Sequence, residues 1–192
     1  MFDRIGITGT PATGKKTLAK NLSKATGFKV FNINRICVLE GAIIGRDDYG
    51  IVADINKLKK LISKKILSKN FILVGHLLPH VISSKNVDLV IVLRCNPYIL
   101  EERLRKRGYP EKKVLMNVGA EILGNCYFEA CKKFGLEKIH VIETSLKSPK
   151  EVLSDALDAI NGVKRFNGFE IDWLQLVAEK GDLSRFFPVS YY

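Results

Sequence analysis

The feature that most constrains the fold is a glycine-rich loop near the amino terminus, with the sequence Gly-Thr-Pro-Ala-Thr-Gly-Lys-Lys-Thr over residues 9–17. A short, mostly apolar run at 4–8 precedes it, and apolar residues at helical spacing follow over 18–25. In a phosphate-binding loop, glycines let successive backbone N–H groups turn inward around a phosphate, and a lysine reaches its outer oxygens. The sequence therefore predicts a strand, a phosphate-binding loop and a helix. The predicted phosphate-binding residues are Gly9, Ala12, Thr13, Gly14, Lys15, Lys16 and Thr17.

Apolar runs alternate with helical patterns along the rest of the chain. Continuous apolar runs are typical of strands buried on both faces of a parallel sheet. Further strands are predicted over 28–32, 71–74, 88–93 and 139–142. Helices are predicted over 54–69, 97–107, 111–134 and from a capping box at 148–151. Residues 34–50 predict a short helix and a mobile loop. The alternation favours an α/β fold, doubly wound around a mainly parallel, five-stranded sheet.

An aromatic extension at the carboxyl end breaks this alternation. The sequence predicts one domain over residues 1–162 and an extension over 163–192, which is too apolar for a disordered linker. Two interpretations remain open: the extension packs back onto the domain, or it forms a docking surface for a partner. Its aromatic residues are Phe166, Phe169, Trp173, Phe186, Phe187, Tyr191 and Tyr192.

Composition narrows the class of protein. The 192 residues, 46% of them hydrophobic, suit one globular domain, and 31 basic against 20 acidic residues give a net charge of +11. This charge attracts polyanions such as nucleotides or RNA. The lysines of 57–69 indicate either a solvated helix face or an RNA-binding one. The four cysteines lack metal-ligand spacing, which favours reduced thiols and a cytoplasmic location. No signal peptide, membrane segment or membrane partner is expected.

The residue after the loop lysine departs from the usual pattern. That position normally offers a hydroxyl to Mg²⁺, whereas Lys16 carries an ammonium group, which repels a cation. Three alternatives follow: Thr17 supplies the hydroxyl, Lys16 points away, or phosphate and water hold the metal. Thr17 is the metal-ligand candidate that the sequence offers.

The chain resembles the small adenylate kinases of the isoenzyme 6 type, also described as ribosome-associated ATPases. The resemblance covers about residues 3–160. It rests on the loop at 9–15, His76 after the third strand, Val-Leu-Arg at 92–94, Glu-Arg-Leu-Arg-Lys-Arg-Gly-Tyr at 102–109, Glu-Lys-Lys at 111–113 and Asn117.

This resemblance implies a P-loop nucleotide kinase fold and phosphoryl transfer from ATP to AMP. It implies ATP as cofactor, with Mg²⁺, an AMP-binding segment around 32–54 and a lid near 106–116. It also implies a second hypothesis, an ATP-dependent factor in small ribosomal subunit assembly, with a ribosomal protein and rRNA as partners. ATPase activity is a further expectation for the kinase, whereas the assembly factor would bind or slowly hydrolyse ATP.

Arginines on a closing lid stabilise the charge that spreads over a transferred phosphoryl group. Arg103 and Arg107 lie four residues apart on one predicted helix face, and we expect them to face the nucleotide. Arg105 fits a solvated helix end. The catalytic residues predicted are Lys15, His76 and Arg107.

His76 follows a buried strand that ends, in a P-loop fold, beside the γ-phosphate. The family places an acid two residues before this histidine, and Val74 stands there. Val74 and Lys16 thus remove both protein groups expected to hold Mg²⁺. The hypothesis is that the metal is weakly held, or that the Lys16 ammonium partly replaces it. His80 and His140 are interpreted as structural.

The AMP side also departs from the family. Its helix normally begins with an Asp-Leu-Ala-Arg-like sequence, and this chain has Arg-Ile-Cys-Val at 35–38. Because the arginine of that sequence is displaced here, Arg35 or Arg46 is left to bind the AMP phosphate through two guanidinium N–H groups. The predicted AMP-binding residues are Asn32, Arg35 and Arg46.

Overall fold

The computed structural model describes residues 1–47, 50–66, 69–168 and 170–188. Within these ranges the strands are β1 Arg4–Gly9, β2 Lys29–Asn32, β3 Ile43–Asp47, β4 Gly50–Ala53, β5 Phe71–Val74, β6 Leu89–Arg94 and β7 Ile139–Glu143. The α-helices are α1 Lys15–Thr26, α2 Ile33–Leu39, α3 Ile55–Lys65, α4 Leu78–Val81, α5 Pro97–Lys106, α6 Glu111–Ile122, α7 Asn125–Phe134, α8 Pro149–Asn161, α9 Trp173–Glu179 and α10 Leu183–Phe186.

The five predicted strands form one parallel sheet in the order β2-β5-β1-β6-β7. Strands β5 and β6, on either side of β1, are buried along their whole length, as their continuous apolar runs predict. Strand β1 lies between β5 and β6, so that the chain order reverses on either side of it. In such sheets a crevice forms beyond the carboxyl ends of the strands at this reversal, and the phosphate-binding loop lies there.

Helices cover both faces of the sheet, which confirms the doubly wound α/β fold. On one face α1 and α8 pack through residues such as Leu22 and Ala156. On the other face α2, α3, α4 and α7 pack through residues such as Leu58 and Phe134. Burial of each large side chain stabilises the fold by about 1.5–3 kcal/mol. The rigid sheet therefore fixes the loops at its carboxyl edge.

The segment 34–50 differs from its prediction. After α2 the chain forms an antiparallel hairpin of β3 and β4, and not a mobile loop. The strands are mostly exposed, so the apolar alternation that marks a strand is missing. Asp48, which we assigned to this loop, lies outside the described residues.

Two predicted helices have different ends. Asp54 caps α3 through its side chain, but the helix ends at Lys65, four residues before the predicted end. Residues 67 and 68, which the prediction included in this helix, lie outside the described residues. The pattern over 111–134 is two helices, because Gly124 takes a left-handed conformation with φ 66° between α6 and α7.

The described part of the extension packs back onto the domain. The carbonyl of Phe166 accepts a hydrogen bond from the backbone N–H of Val141 (2.7 Å), and Val177 and Phe186 are buried. Phe169, Tyr191 and Tyr192 lie outside the described residues, and the division at residue 162 stays a prediction. No helix in the described ranges is long and apolar enough to cross a membrane.

Candidate nucleotide-binding site

The glycines of the loop between β1 and α1 meet specific backbone requirements. Gly9 has φ 134°, and a Cβ atom there would overlap the carbonyl oxygen of Leu93. Gly14 has φ 103° and precedes the first residue of α1. The first backbone N–H groups of a helix lack partners within it, so this end of α1 presents donors and a positive dipole to an anion.

Threonine side chains anchor the loop from within. The Thr13 hydroxyl donates to the carbonyl of Thr10 (2.9 Å), and the Thr144 hydroxyl donates to the carbonyl of Thr13 (3.1 Å). Thr13 is fully buried. Its side chain therefore shapes the loop, and its backbone N–H also donates to the carbonyl of Thr10 (3.3 Å).

Lys15 folds over the loop. Its ammonium donates to the carbonyls of Gly9 (2.6 Å) and Thr10 (2.8 Å). Burial, reinforced by the positive charges of Arg107 and Lys16, lowers the pKa of Lys15 to about 8. Because a desolvated ammonium gains most from an anionic partner, this position suits the outer oxygens of a triphosphate.

A cavity of about 400 Å³ opens beside the loop. The cationic side chains of its lining suit phosphates, and the apolar ones suit a planar base. The structure thus brings the predicted Arg103 and Arg107 together with the loop. The lining residues are Ala12, Thr13, Gly14, Thr17, Leu18, Arg103, Lys106, Arg107, Thr144, Lys147, Pro149 and Val152.

Helix α5 holds the two predicted arginines differently. The guanidinium of Arg103 donates to the carbonyls of Thr144 (2.8 Å) and Ser145 (3.0 Å), so it is fixed against the segment after β7. Arg107 caps the end of α5. Arg105 pairs with Glu101 and Glu111 and does not line the cavity, in agreement with its predicted structural role.

His76 lies close enough to Lys15 for the two side chains to interact electrostatically. It follows Gly75, where a Cβ atom would approach Ile33 to 2.8 Å, so only glycine permits this packing. Burial and then the charge of Lys15 lower the pKa of His76 to about 4. The imidazole is therefore neutral at pH 7, with one nitrogen to donate and one to accept.

The other two histidines have structural contacts, as predicted. His80 lies 3.2 Å from a carboxylate oxygen of Glu129 at the surface. His140 is buried, and its Nδ1 accepts the backbone N–H of Phe166 (3.1 Å). Burial lowers the pKa of His140 to about 4.

The side chains near the loop do not fit a Mg²⁺ ion held by protein ligands. Lys16 is exposed, Val74 is buried and apolar, and Thr17 lies in the cavity wall. The described ranges contain no group of three His, Cys, Asp or Glu residues that could hold a metal. Because Mg²⁺ prefers carboxylate and hydroxyl oxygens, Thr17 alone is a poor donor set.

The predicted AMP-binding residues lie apart from the cavity. The side-chain oxygen of Asn32 caps α2 by accepting the backbone N–H of Arg35 (3.0 Å). Arg35 is exposed on α2, and Arg46 is exposed on β3 of the hairpin. None of the three lines the cavity. Their role toward AMP stays a prediction.

Sequence reasoning missed Glu121, which lies beneath the loop. Its buried carboxylate accepts from the Thr10 hydroxyl, from Arg94 Nε (2.7 Å) and from the backbone N–H of Cys95 (3.0 Å). A signal existed, because Arg94 ends an apolar buried strand and needs an anionic partner. The thiol of Cys126 also lies near Lys15, and burial raises its pKa to about 11.

The chain is similar in sequence to a protein family and to archaeal proteins. The family model described as "AAA domain" matches residues 5–124. A protein of Pyrococcus abyssi is 36% identical over 177 residues (91% of this chain, 93% of the relative), and one of Methanocaldococcus jannaschii is 38% identical over 175 residues (90% and 93%). Both are named "Putative adenylate kinase".

Solved structures with a similar fold include small-molecule kinases. A gluconokinase of Sinorhizobium meliloti aligns with TM-score 0.57 at 15% identity, covering 84% of this chain and 93% of its own. A shikimate kinase of Acinetobacter baumannii, in complex with shikimate, aligns with TM-score 0.59 at 16% identity, covering 85% and 96%. At these identities the likeness shows the P-loop kinase fold alone.

Proposed function

The chain belongs to the AAA-domain family, and on that premise we propose that it is an ATP-binding nucleoside monophosphate kinase of the adenylate kinase type. One observation carries the proposal: Arg103 and Arg107 share a cavity of about 400 Å³ with the phosphate-binding loop. The archaeal relatives support this choice among P-loop kinases by their name.

In the proposed reaction the protein positions phosphates and balances charge. Backbone N–H groups of the loop bind the β-phosphate, and Lys15 binds the β and γ oxygens. A phosphate oxygen of AMP attacks the γ-phosphorus, the bond to the β–γ bridging oxygen breaks, and both products are ADP. Arg107 stabilises the charge on the moving group, and neutral His76 donates or accepts one hydrogen bond beside it.

For the acceptor, Asn32, Arg35 and Arg46 stay the proposed AMP-binding residues. AMP carries its own nucleophilic phosphate oxygen, so no side chain has to remove a proton from it. Because neither Arg35 nor Arg46 lines the cavity beside the loop, binding of AMP there requires one or both to turn toward the loop.

Magnesium, when bound, supplies positive charge to the phosphate oxygens. Since the donor set does not fit a protein-held ion, we propose that phosphates and water hold it and that the Lys16 ammonium supplies part of the countercharge. ATP affinity is then expected to change by less than about threefold between Mg²⁺ and EDTA, about 0.65 kcal/mol. A loss of a hundredfold or more in EDTA would contradict this.

The alternative function is a small-subunit assembly factor that binds or slowly hydrolyses ATP, as the isoenzyme 6 resemblance implies. Arg35 and Arg46 are exposed and lie on separate elements, which favours this alternative. Its partners would be a small-subunit ribosomal protein and rRNA.

A coupled assay of ADP formation with a panel of nucleoside monophosphates separates the two functions. We expect AMP to accelerate ADP formation, and Lys15→Ala to abolish it. Lys20→Ala is the matched control, because Lys20 is an exposed lysine of the same helix. ADP formation from ATP alone, unchanged by every monophosphate, would refute the kinase and favour the alternative.

A further inference from the structure

The carboxyl-terminal extension shares a hydrophobic core with the helix that carries the cavity arginines. Val177 of α9 and Phe186 of α10 are buried in a cluster with Leu100 and Leu104 of α5. The same cluster contains Ala12 of the phosphate-binding loop. The extension therefore belongs to the same apolar cluster as both parts of the nucleotide cavity.

Polar contacts fix the extension to α5 more specifically. The Tyr98 hydroxyl donates to Asp182 (2.8 Å), and the guanidinium of Arg185 donates to Glu101 (2.6 Å). The ring of Tyr98 also meets Phe186 edge to face, with centroids 5.4 Å apart. Because hydrogen bonds and ring contacts are directional, these contacts select one orientation of α5.

Glu101 extends this connection across the lid segment. Its carboxylate is only 7% exposed and also accepts from Arg105 (3.0 Å), which in turn pairs with Glu111 of α6 (2.6 Å). A chain of ion pairs therefore connects α10, α5 and α6. Both arginines that line the cavity are attached to this helix, Arg103 within α5 and Arg107 as its C-cap residue.

We propose that residues 173–188 are a positioning element of the nucleotide site, which holds α5 so that Arg103 and Arg107 face the phosphate-binding loop. The inference rests on the proposed function, because it requires these arginines to bind ATP. Glu101 and Arg185 are positioning residues, since neither lines the cavity. Their loss weakens ATP binding although every group that touches ATP is kept.

The first test is Arg185→Ala in the full chain, titrated with ATP by calorimetry. We expect ATP affinity to fall about fivefold, within the range for residues that act through a packed element. Tyr98→Phe removes one hydrogen bond but keeps the ring contact, and about a twofold loss is expected. Glu179→Gln is the matched control, because Glu179 contacts Gln175 within α9 (2.8 Å) and its loss should leave the affinity unchanged.

A double-mutant cycle separates positioning from general loss of stability. In a chain carrying Arg103→Ala and Arg107→Ala, the added Arg185→Ala should change ATP affinity by less than about 1.5-fold, since the groups it positions are gone. Circular dichroism at the titration temperature verifies that each variant is folded; if Arg185→Ala is not, Tyr98→Phe decides.

The outcomes distinguish this inference from the function beneath it. A wild-type chain that binds no ATP overturns both. A wild-type chain that binds ATP, with unchanged affinity in the folded Arg185→Ala or Tyr98→Phe variant, overturns the positioning role alone. The positioning role is also overturned if Arg185→Ala lowers ATP affinity about fivefold in the chain that carries Arg103→Ala and Arg107→Ala.

Discussion

Removal of the Glu121 carboxylate should destabilise the protein more than any change at a surface charge. In the folded chain Arg94 is 3% exposed and Glu121 is 1% exposed, so the two charges have little water around them. Glu121→Ala leaves the guanidinium of Arg94 buried without its anion. It also removes the acceptor for the Thr10 hydroxyl and for the backbone N–H of Cys95.

The magnitude follows from these contacts. Breaking a buried ion pair by removal of one partner costs about 3–5 kcal/mol, a large share of a typical stability of about 5–15 kcal/mol. With a urea m-value of about 2.5 kcal/mol/M, the unfolding midpoint should fall by about 1–2 M. Glu102→Gln is the control, because Glu102 and Lys106 form an exposed pair (3.5 Å) worth about 0.3–0.5 kcal/mol.

The assay is urea unfolding followed by circular dichroism and tryptophan fluorescence. A double variant, Arg94→Met with Glu121→Leu, removes both charges and should recover at least about 2 kcal/mol of the loss, because no unpaired ion remains. A loss below about 1 kcal/mol in Glu121→Ala, or no recovery in the double variant, would show that this pair does not anchor the loop.

Three further predictions concern protonation and the backbone of the loop. ATP affinity should be constant below pH 8 and fall as pH rises through about 8, where Lys15 loses its proton. The Lys15→Arg variant should not show this fall. Titrations at pH 6–10 in which the wild type and the variant have the same pH dependence would contradict the prediction. The folded chain lowers the pKa of His140 to about 4, so the unfolded chain takes up the proton first as pH falls. The free energy of unfolding that is present above pH 6.5 is therefore lost as pH falls toward 4. The loss is about 2 kcal/mol at pH 5. Unfolding at pH 7 and 5 should show that loss reduced in His140→Gln. Gly9→Ala should cost more than about 2 kcal/mol, whereas Gly27→Ala, where no atom lies within 4 Å of the added Cβ, should cost about 1 kcal/mol; equal costs would refute the argument for Gly9.

The sheet and the loop were predictable because their signals are local. Continuous apolar runs such as residues 71–74 have few alternatives to a buried parallel strand, and the glycine spacing of 9–14 meets the needs of a phosphate-binding turn. The spacing of Arg103 and Arg107 likewise predicted their shared cavity, because residues four apart on a helix face the same side.

The features that the sequence did not predict depend mostly on contacts between residues far apart in sequence. The pair of Arg94 and Glu121 joins positions 27 residues apart, and neither residue alone reveals its partner. The hairpin at 43–53 shows no buried face to mark it. The contact of Arg185 with Glu101 spans 84 residues, and only the folded chain brings the extension to α5.

The most direct test of the account is equilibrium titration of the full chain with ATP, for the wild type and for Lys15→Ala. The account predicts saturable binding at one site and at least about a tenfold loss in the variant, since one charge-assisted contact to phosphate is removed. No binding by the folded wild type, or equal affinity in the two chains, would contradict the claim that this loop and its lysine hold a nucleotide.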